Sequence, residues 1–363
     1  MKSKLIMYVY GDITTDARVN RAANALADNY DVMLISTQWD KKVEDTYYKN
    51  VLIGTNKTGL KNLLSNILEA YRIIKIERPD IVYCHDYYSA ILAYLLIGKK
   101  YCRKIIYDAH ELIIPEPCVK DRRLSFFRWF EKRIIKKVNL AVCASSERGD
   151  FMKDYYKLEK TPLAIRNISQ LSVNEDNDTK SLLSKLDDFF SVDIPTVVYA
   201  GVVTKSRRII ELEHAVAKHK SQFKLLIVGT GDALEEVKDR ASQDGICFAY
   251  TGKIPYKCLG AVLKKCDIGF VYYPTNTLNN TYCASNKVYE YASVALPMIS
   301  NLNPTIKKEM EENYLGVASD KLDEALCAVA SGLSEYKKAC IEYTSNNPWA
   351  SDAHRLVEAI EKC

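Results

Sequence analysis

Cys283-Ala-Ser-Asn-Lys-Val-Tyr-Glu-Tyr-Ala-Ser-Val-Ala-Leu-Pro-Met-Ile-Ser300 reads as a loop, a short helix, a Pro turn and a buried strand. Ser285, Asn286 and Lys287 stand where the helix begins, so free backbone N–H groups, the helix dipole and an ammonium all face one incoming anion. One turn on, Glu290 is an acceptor-only carboxylate suited to a sugar diol, while Val288, Ala292 and Val294 pack the helix down. The pattern predicts a phosphate binder and a hydroxyl binder on one helix end. The plainer alternative is an ordinary helix start, with Ser285 as its cap and a surface Lys and Glu. The rest of the chain decides between them.

The strand that closes this stretch is the last of a series. Apolar runs at 196–201, 223–229, 246–250, 267–273 and 296–300 alternate with helical patterns, as do earlier runs at 4–10, 31–36, 80–85, 104–109, 138–145 and 161–167. Continuous apolar strands between amphipathic helices imply parallel sheets covered on both faces. Between the two series, residues 169–194 are rich in Ser, Asn, Asp and Lys and are expected to form a polar linker. It would join an N-terminal domain over 1–168 to a C-terminal domain over 195–345. The tail 346–363 carries Trp349 and a helical period through Leu356 and Ile360, and is expected to dock back on the N-terminal domain. The expected fold class is α/β, with two Rossmann-like domains facing across a cleft and ligands held at the carboxyl ends of their strands.

Composition fits this organisation. At 363 residues the chain is long for one core, and 48% hydrophobic with 27% charged residues is the make-up of a folded protein. None of the eleven cysteines forms a Cys-x-x-Cys pair, and several lie in apolar runs, as expected of small core residues in a reducing cytoplasm. The first apolar run stops at Gly11-Asp12 without a small-residue cleavage site, so a strand is expected there rather than a signal peptide. The longest uncharged apolar stretch, 90–98, is far short of the roughly 20 residues that span a bilayer. A soluble or peripheral cytoplasmic protein is expected. Residues 121–137 hold seven Lys or Arg against two acids, 7 − 2 = +5, which equals the surplus of the whole chain, 51 − 46 = +5. Leu124, Phe127, Phe130, Ile134 and Val138 recur there at helical spacing. Such a helix either rests on anionic lipid or packs with a basic solvent face. Nucleic acid is not an expected partner, because no basic-and-aromatic pattern recurs elsewhere.

Several strand ends carry candidate chemistry. Gly11 closes the first strand ahead of Asp16 and Arg18, but Gly-x-Gly-x-x-Gly is absent. Gly229-Thr-Gly231 also follows a strand, with Leu234 in the third glycine position, which disfavours a nicotinamide dehydrogenase. Tyr107-Asp108-Ala-His110-Glu111 puts an imidazole at a sheet edge, where it can meet substrate; a lone His is otherwise structural. His85-Asp86 ends the preceding strand in the same way and is expected to line or support the site. Lys205, Arg207 and Arg208 at a strand–helix junction suit a diphosphate, the alternative being a solvated cationic surface. Thr251-Gly-Lys253-Ile254 is placed to meet a nucleobase edge. Asp176-Asn-Asp178 lies in polar sequence away from any strand end, so no metal site and no cofactor are expected.

In order and spacing these pieces resemble a family 4-type glycosyltransferase of the GT-B fold, of the bacterial polysaccharide kind. The resemblance runs through Asp16-Ala-Arg18-Val-Asn-Arg21-Ala-Ala, Tyr107-Asp-Ala-His-Glu111, Glu131, Tyr199-Ala-Gly201, Val228-Gly-Thr-Gly231, Thr251-Gly-Lys-Ile-Pro255, Asp267-Ile-Gly269 and Ser285-Asn-Lys-Val-Tyr-Glu-Tyr291. It implies a retaining, metal-independent transfer of sugar from a nucleoside diphosphate donor to a glycan or lipid-linked acceptor. Arg207, Asn286, Lys287 and Val288 would hold the diphosphate and Glu290 the ribose. Gly11 would admit the donor phosphate, and His110 would face the sugar or the acceptor hydroxyl, with Asp16, Arg18, Asp108 and Glu111 on the acceptor side. Three positions depart from the pattern: Val202 follows Gly201 where Arg is usual, Arg208 replaces a Gly, and Tyr282 replaces the first Glu of a Glu-x7-Glu pair. A nucleotide-sugar epimerase of the same fold is an alternative, and Tyr282 keeps open a non-catalytic partner subunit.

Overall fold

The structure, a computed structural model, describes residues 2–13, 16–37, 47–54, 59–116, 121–174 and 176–363. The chain forms two compact units, Met1–Arg166 with Trp349–Cys363, and Asn167–Pro348.

The first unit is built on seven parallel strands, β1 (Lys4–Val9), β2 (Asp31–Thr37), β3 (Lys49–Ile53), β4 (Ile81–His85), β5 (Lys104–Ala109), β6 (Leu140–Cys143) and β7 (Leu163–Ala164), in the order β3-β2-β1-β4-β5-β6-β7. The central strands β1 and β4 are buried throughout apart from Lys4 at the start of β1, as apolar runs in a doubly covered sheet must be. Sequence reading missed β3. It is an edge strand whose Lys49, Asn50 and Leu52 are partly or fully exposed, so it shows no continuous apolar run. Helix Ala17–Ala27 begins at Asp16, whose Oδ1 accepts from the Val19 N–H at 3.0 Å. The terminal helix Trp349–Lys362 belongs to this unit. Leu356 and Ile360 reach 0% exposure in one core with Leu5, Leu34 and Ile106, and buried Asp352 accepts from Arg166 Nη2 at 2.7 Å. Helix Arg122–Ile134 turns Phe127, Glu131 and Ile134 inward and leaves Phe126 and Trp129 largely open.

The second unit has six parallel strands, β8 (Thr196–Ala200), β9 (Lys224–Val228), β10 (Phe248–Gly252), β11 (Ile268–Val271), β12 (Met298–Ser300) and β13 (Gly316–Ala318), in the order β10-β9-β8-β11-β12-β13. An apolar core covers each face. Residues 169–194 are not a linker. They fold into helices Asn177–Ser184 and Asp187–Ser191, and Leu171, Leu186 and Phe189 join the core of this unit. The carbonyls that end the second helix are satisfied from within: the buried Lys224 Nζ donates to Phe189 O at 2.9 Å and to Val192 O at 2.5 Å.

Candidate functional site

In each unit the candidate residues collect at the carboxyl ends of the strands, where the backbone leaves the sheet and helix starts point outward.

In the second unit, helix Asn286–Ser293 starts at Ser285 in extended backbone, but the Ser285 side chain makes no capping bond. Its Oγ is buried and, among the described residues, without a partner. The plain reading of an ordinary capped helix start is therefore wrong: the first-turn N–H groups lack the acceptor that a capping Ser supplies. Lys287 folds back over the end of β8, its Nζ 5.5 Å from the Tyr199 ring centre and 5.7 Å from that of Tyr273. Gly201 permits this, because a Cβ there would come 3.0 Å from both Lys287 Cε and Nζ. Arg207 reaches the same Tyr273 ring. Its guanidinium lies 4.0 Å from the Tyr273 ring centre, and its Nη1 donates to Tyr272 O at 2.9 Å. Two cations thus share one aromatic platform beside a helix N-terminus, and among the described residues neither pairs with a carboxylate. Buried Glu290 lies one turn down the helix, its Oε1 accepting from Tyr256 OH at 3.0 Å, while Ser169 Oγ stands 2.7 Å from that hydroxyl. Glu290 is held, and is not a loose surface acid.

The other expected donor residues divide. Lys205 is 68% exposed and pairs with Glu236 at 3.0 Å. Arg208, in left-handed backbone, pairs with Glu211 at 3.6 Å and leans over Tyr272. Neither joins Arg207 at Tyr273. Gly229 and Gly231 answer to the chain's own backbone: a Cβ would fall 1.9 Å from Gly201 O at the first and 2.1 Å from Val203 O at the second. Val288 is buried under the helix, Asn286 and Lys253 are exposed, and Ile254 packs against the core. The sequence reading missed Tyr273 and Tyr256, and quoted Tyr199 in a motif without giving it a role. Their signal was Tyr272-Tyr273 at the end of an apolar strand, in a chain with 25 Tyr to 9 Phe.

In the first unit, Asp108 at the end of β5 is 1% exposed and fully engaged. Arg18 donates to it twice, Nη2 to Oδ1 at 2.8 Å and Nε to Oδ2 at 3.1 Å, and also reaches Ile165 O and Cys143 O. Tyr83 OH donates to Oδ2 at 3.3 Å. Two imidazoles flank the same oxygen, His85 Nδ1 and His110 Nε2, each 3.5 Å away and 3.3 Å from each other. Burial pushes the Asp108 carboxyl up, but Arg18 and then His110 outweigh it and hold it well below the usual carboxylate range. Burial pushes both imidazoles down. At His85 it prevails, whereas at His110 the Asp108 charge wins and raises the pKa. His110 keeps 17% of its side chain exposed; His85 lies fully buried beneath, stacked on Tyr83. Arg18 and Asp108, expected on the acceptor side, form a buried pair against which His110 rests. Asp16 is occupied as a helix cap, Glu111 is exposed, and a Cβ at Gly11 would meet nothing within 4 Å among the described residues.

The model of the family described as Glycosyltransferase Family 4 matches residues 17–165. No curated protein sequence matches the chain. Among solved structures, sucrose-phosphate synthase from Thermosynechococcus elongatus is 13% identical, with 99% of each chain covered and a TM-score of 0.74. HepE of Anabaena, in complex with UDP and glucose, is 12% identical, covering 99% of this chain and 100% of that one, with a TM-score of 0.74. WaaG, a glycosyltransferase involved in lipopolysaccharide biosynthesis, is 12% identical over 97% of this chain and 98% of its own, with a TM-score of 0.70. The two parallel-sheet units therefore have the GT-B fold.

Proposed function

We infer, from a glycosyltransferase family 4 domain carried on a GT-B fold, that the chain transfers a sugar from a nucleoside diphosphate donor to a glycan or lipid-linked acceptor. The observation that carries the reading is the pair of cations, Arg207 and Lys287, meeting over Tyr273 beside an uncapped helix start. As the glycosidic bond breaks, negative charge grows on the departing diphosphate. Fixed cations and backbone N–H groups that strengthen against that charge lower the barrier, and they do so with no metal in the step. Glu290, oriented by Tyr256, takes the ribose hydroxyls, and His110 meets the sugar or the acceptor hydroxyl. Retention at the anomeric carbon, a role in polysaccharide biosynthesis and a place at the cytoplasmic face of a membrane complete the proposal. The basic helix Arg122–Ile134, with exposed Phe126 and Trp129, would supply the membrane contact. That HepE was solved with UDP and glucose makes UDP-sugars the first donors to try.

The test is a thermal-shift screen with UDP, GDP, dTDP and their sugars, followed by chromatography of the nucleotide released with and without glycan acceptors. Acceptor-dependent release supports transfer. Acceptor-independent conversion of the donor would make the chain an epimerase, and nucleotide binding without turnover would make it a partner subunit.

A further inference from the structure

We propose that His85, Asp108 and His110 form a binding site for a divalent transition metal of the zinc class, and that filling it withdraws His110 from substrate. The second clause rests on the role given to His110 above; the first stands on geometry alone. The three facing atoms, His85 Nδ1, His110 Nε2 and Asp108 Oδ2, make a triangle with sides of 3.3, 3.5 and 3.5 Å. The His85–His110 side is within weak hydrogen-bond reach, whereas both imidazoles stand 3.5 Å from the carboxylate oxygen, beyond the ordinary range of about 2.7–3.2 Å. A tetrahedral ion bound at about 2.1 Å separates its ligand atoms by about 3.4 Å, which is the spacing found. Two imidazoles and one carboxylate are also a ligand set that zinc takes, leaving the fourth position for water. Of the three, His110 is the one that solvent reaches, at 17% exposure.

The support around the triangle is that of a held ligand set. Arg18 and Tyr83 fix the Asp108 carboxylate, and the face of the Tyr83 ring fixes His85, with ring centres 4.3 Å apart and planes 16° apart. β4 and β5 are adjacent parallel strands, with His85 directly opposite Asp108, so sheet register sets their separation. The Arg18 charge on the same carboxylate opposes a cation and makes the site weaker than a structural zinc centre. Occupancy is therefore reversible, and no step of sugar transfer runs through the metal. With the ion bound, the His110 Nε2 lone pair is committed to it and the ring is fixed against Asp108.

The experiment uses the full chain freed of metal with a chelator. Zn2+ is titrated by calorimetry, and Co2+ is added separately to read the intense visible absorption of a tetrahedral centre. The expected result is one Zn2+ per chain, a tetrahedral Co2+ spectrum, and binding weakened about tenfold or more in His110→Ala. His354→Ala, at an exposed histidine remote in sequence, should bind as the wild type does. His85→Ala gives a second arm, and melting curves without metal check that both site variants fold. Equal Zn2+ binding by wild type and His110→Ala, or a Co2+ spectrum without the tetrahedral band, overturns the site. In the transfer assay Zn2+ should inhibit, and chelator should reverse it. A chain that binds Zn2+ at these residues and transfers sugar undisturbed overturns only the withdrawal of His110. A chain that binds Zn2+ but never transfers sugar counts against the glycosyltransferase reading and leaves the metal site standing.

Discussion

Lys287 lies across the end of β8 because Gly201 has no side chain to stop it, and the proposed meeting of this ammonium with a donor diphosphate depends on that single absence. Gly201 also sits at φ +144°, a conformation that L side chains rarely adopt. Two outcomes follow for the same assay. Lys287→Ala should lose about 100-fold or more in kcat/KM for a nucleotide sugar while its melting temperature stays near wild type, since one fixed cation is removed from a developing charge. Gly201→Ala should weaken nucleotide binding by displacing the same ammonium, although residue 201 itself carries no charge. A Lys287→Ala enzyme with wild-type turnover would remove the diphosphate reading of this helix. The sequence offered both parts of this, Lys287 at a helix start and Gly201 at a strand end, but not their contact, because they lie 287 − 201 = 86 positions apart and only the fold brings them together. Tyr273 was equally opaque in sequence, since a platform residue has no motif of its own.

Among the secondary-structure elements, helix Arg122–Ile134 was the most legible and also the most misread in detail. Its period called for an apolar stripe through Phe127 and Ile134, and both are buried. Glu131 was expected only as a family mark, yet it lies in that stripe at 2% exposure, because its position on the helix leaves it no route to water. Burial pushes its pKa up to about 8, with Tyr156, Asp86, Tyr107 and Arg128 as its neighbours. The folded-state value lies above the ordinary 4.5, so the folded state resists ionising Glu131. The penalty is absent below about pH 4.5 and costs stability progressively as pH rises toward 8. Glu131→Gln should therefore gain stability over wild type as pH climbs from about 5 to 8, by up to about 4 kcal/mol. Urea denaturation at about pH 5, 6.5 and 8 measures it, and a difference that does not grow with pH would rule out the buried acid. The outer face of the same helix carries Phe126, Trp129 and Arg133, with the guanidinium 3.4 Å from the Trp129 ring centre. Sedimentation with vesicles containing anionic lipid should retain the wild type and largely lose Trp129→Ala in combination with Arg133→Ala, each basic residue being worth on the order of 1 kcal/mol at such a surface. The short elements were less legible. β3 and the helices within 169–194 escaped because their apolar residues are diluted by Lys, Asn, Asp and Ser, so that Leu186 and Phe189 look isolated until they are seen in a core.

Taken from end to end, the chain does not fold as two consecutive halves: it begins in one unit, completes the second, and returns to the first with Trp349–Cys363. The return is secured by Asp352, which is 0% exposed, accepts from Arg166 Nε and Nη2 at 3.1 and 2.7 Å, and also meets Arg355 at 3.3 Å. Removing its carboxylate strips Arg166 of that ion pair at the point where the chain leaves the first unit, and the terminal helix would then stay docked by the apolar contacts of Leu356 and Ile360, by Lys104 Nζ donating to Ile360 O at 2.7 Å, and by Arg21 over the Trp349 ring. Because Arg166 keeps 27% exposure and water can reach it, the cost falls below that of a fully buried pair, at about 2–3 kcal/mol. Arg207 and Lys287, the cations proposed to meet the diphosphate, belong to the other unit and among the described residues share no partner with Asp352. Sites without common partners act additively, so Asp352→Ala should lower the urea midpoint and leave the dissociation constant for UDP within about twofold of wild type at temperatures where the variant is folded. Ligand bound to the native state adds stability by mass action, about 2.7 kcal/mol at a concentration about 100 times the dissociation constant, and this increment should be the same in variant and wild type. An Asp352→Ala protein that keeps its stability, or that loses nucleotide affinity in step with it, would show that the terminal helix is not the separate anchor that this buried pair makes it.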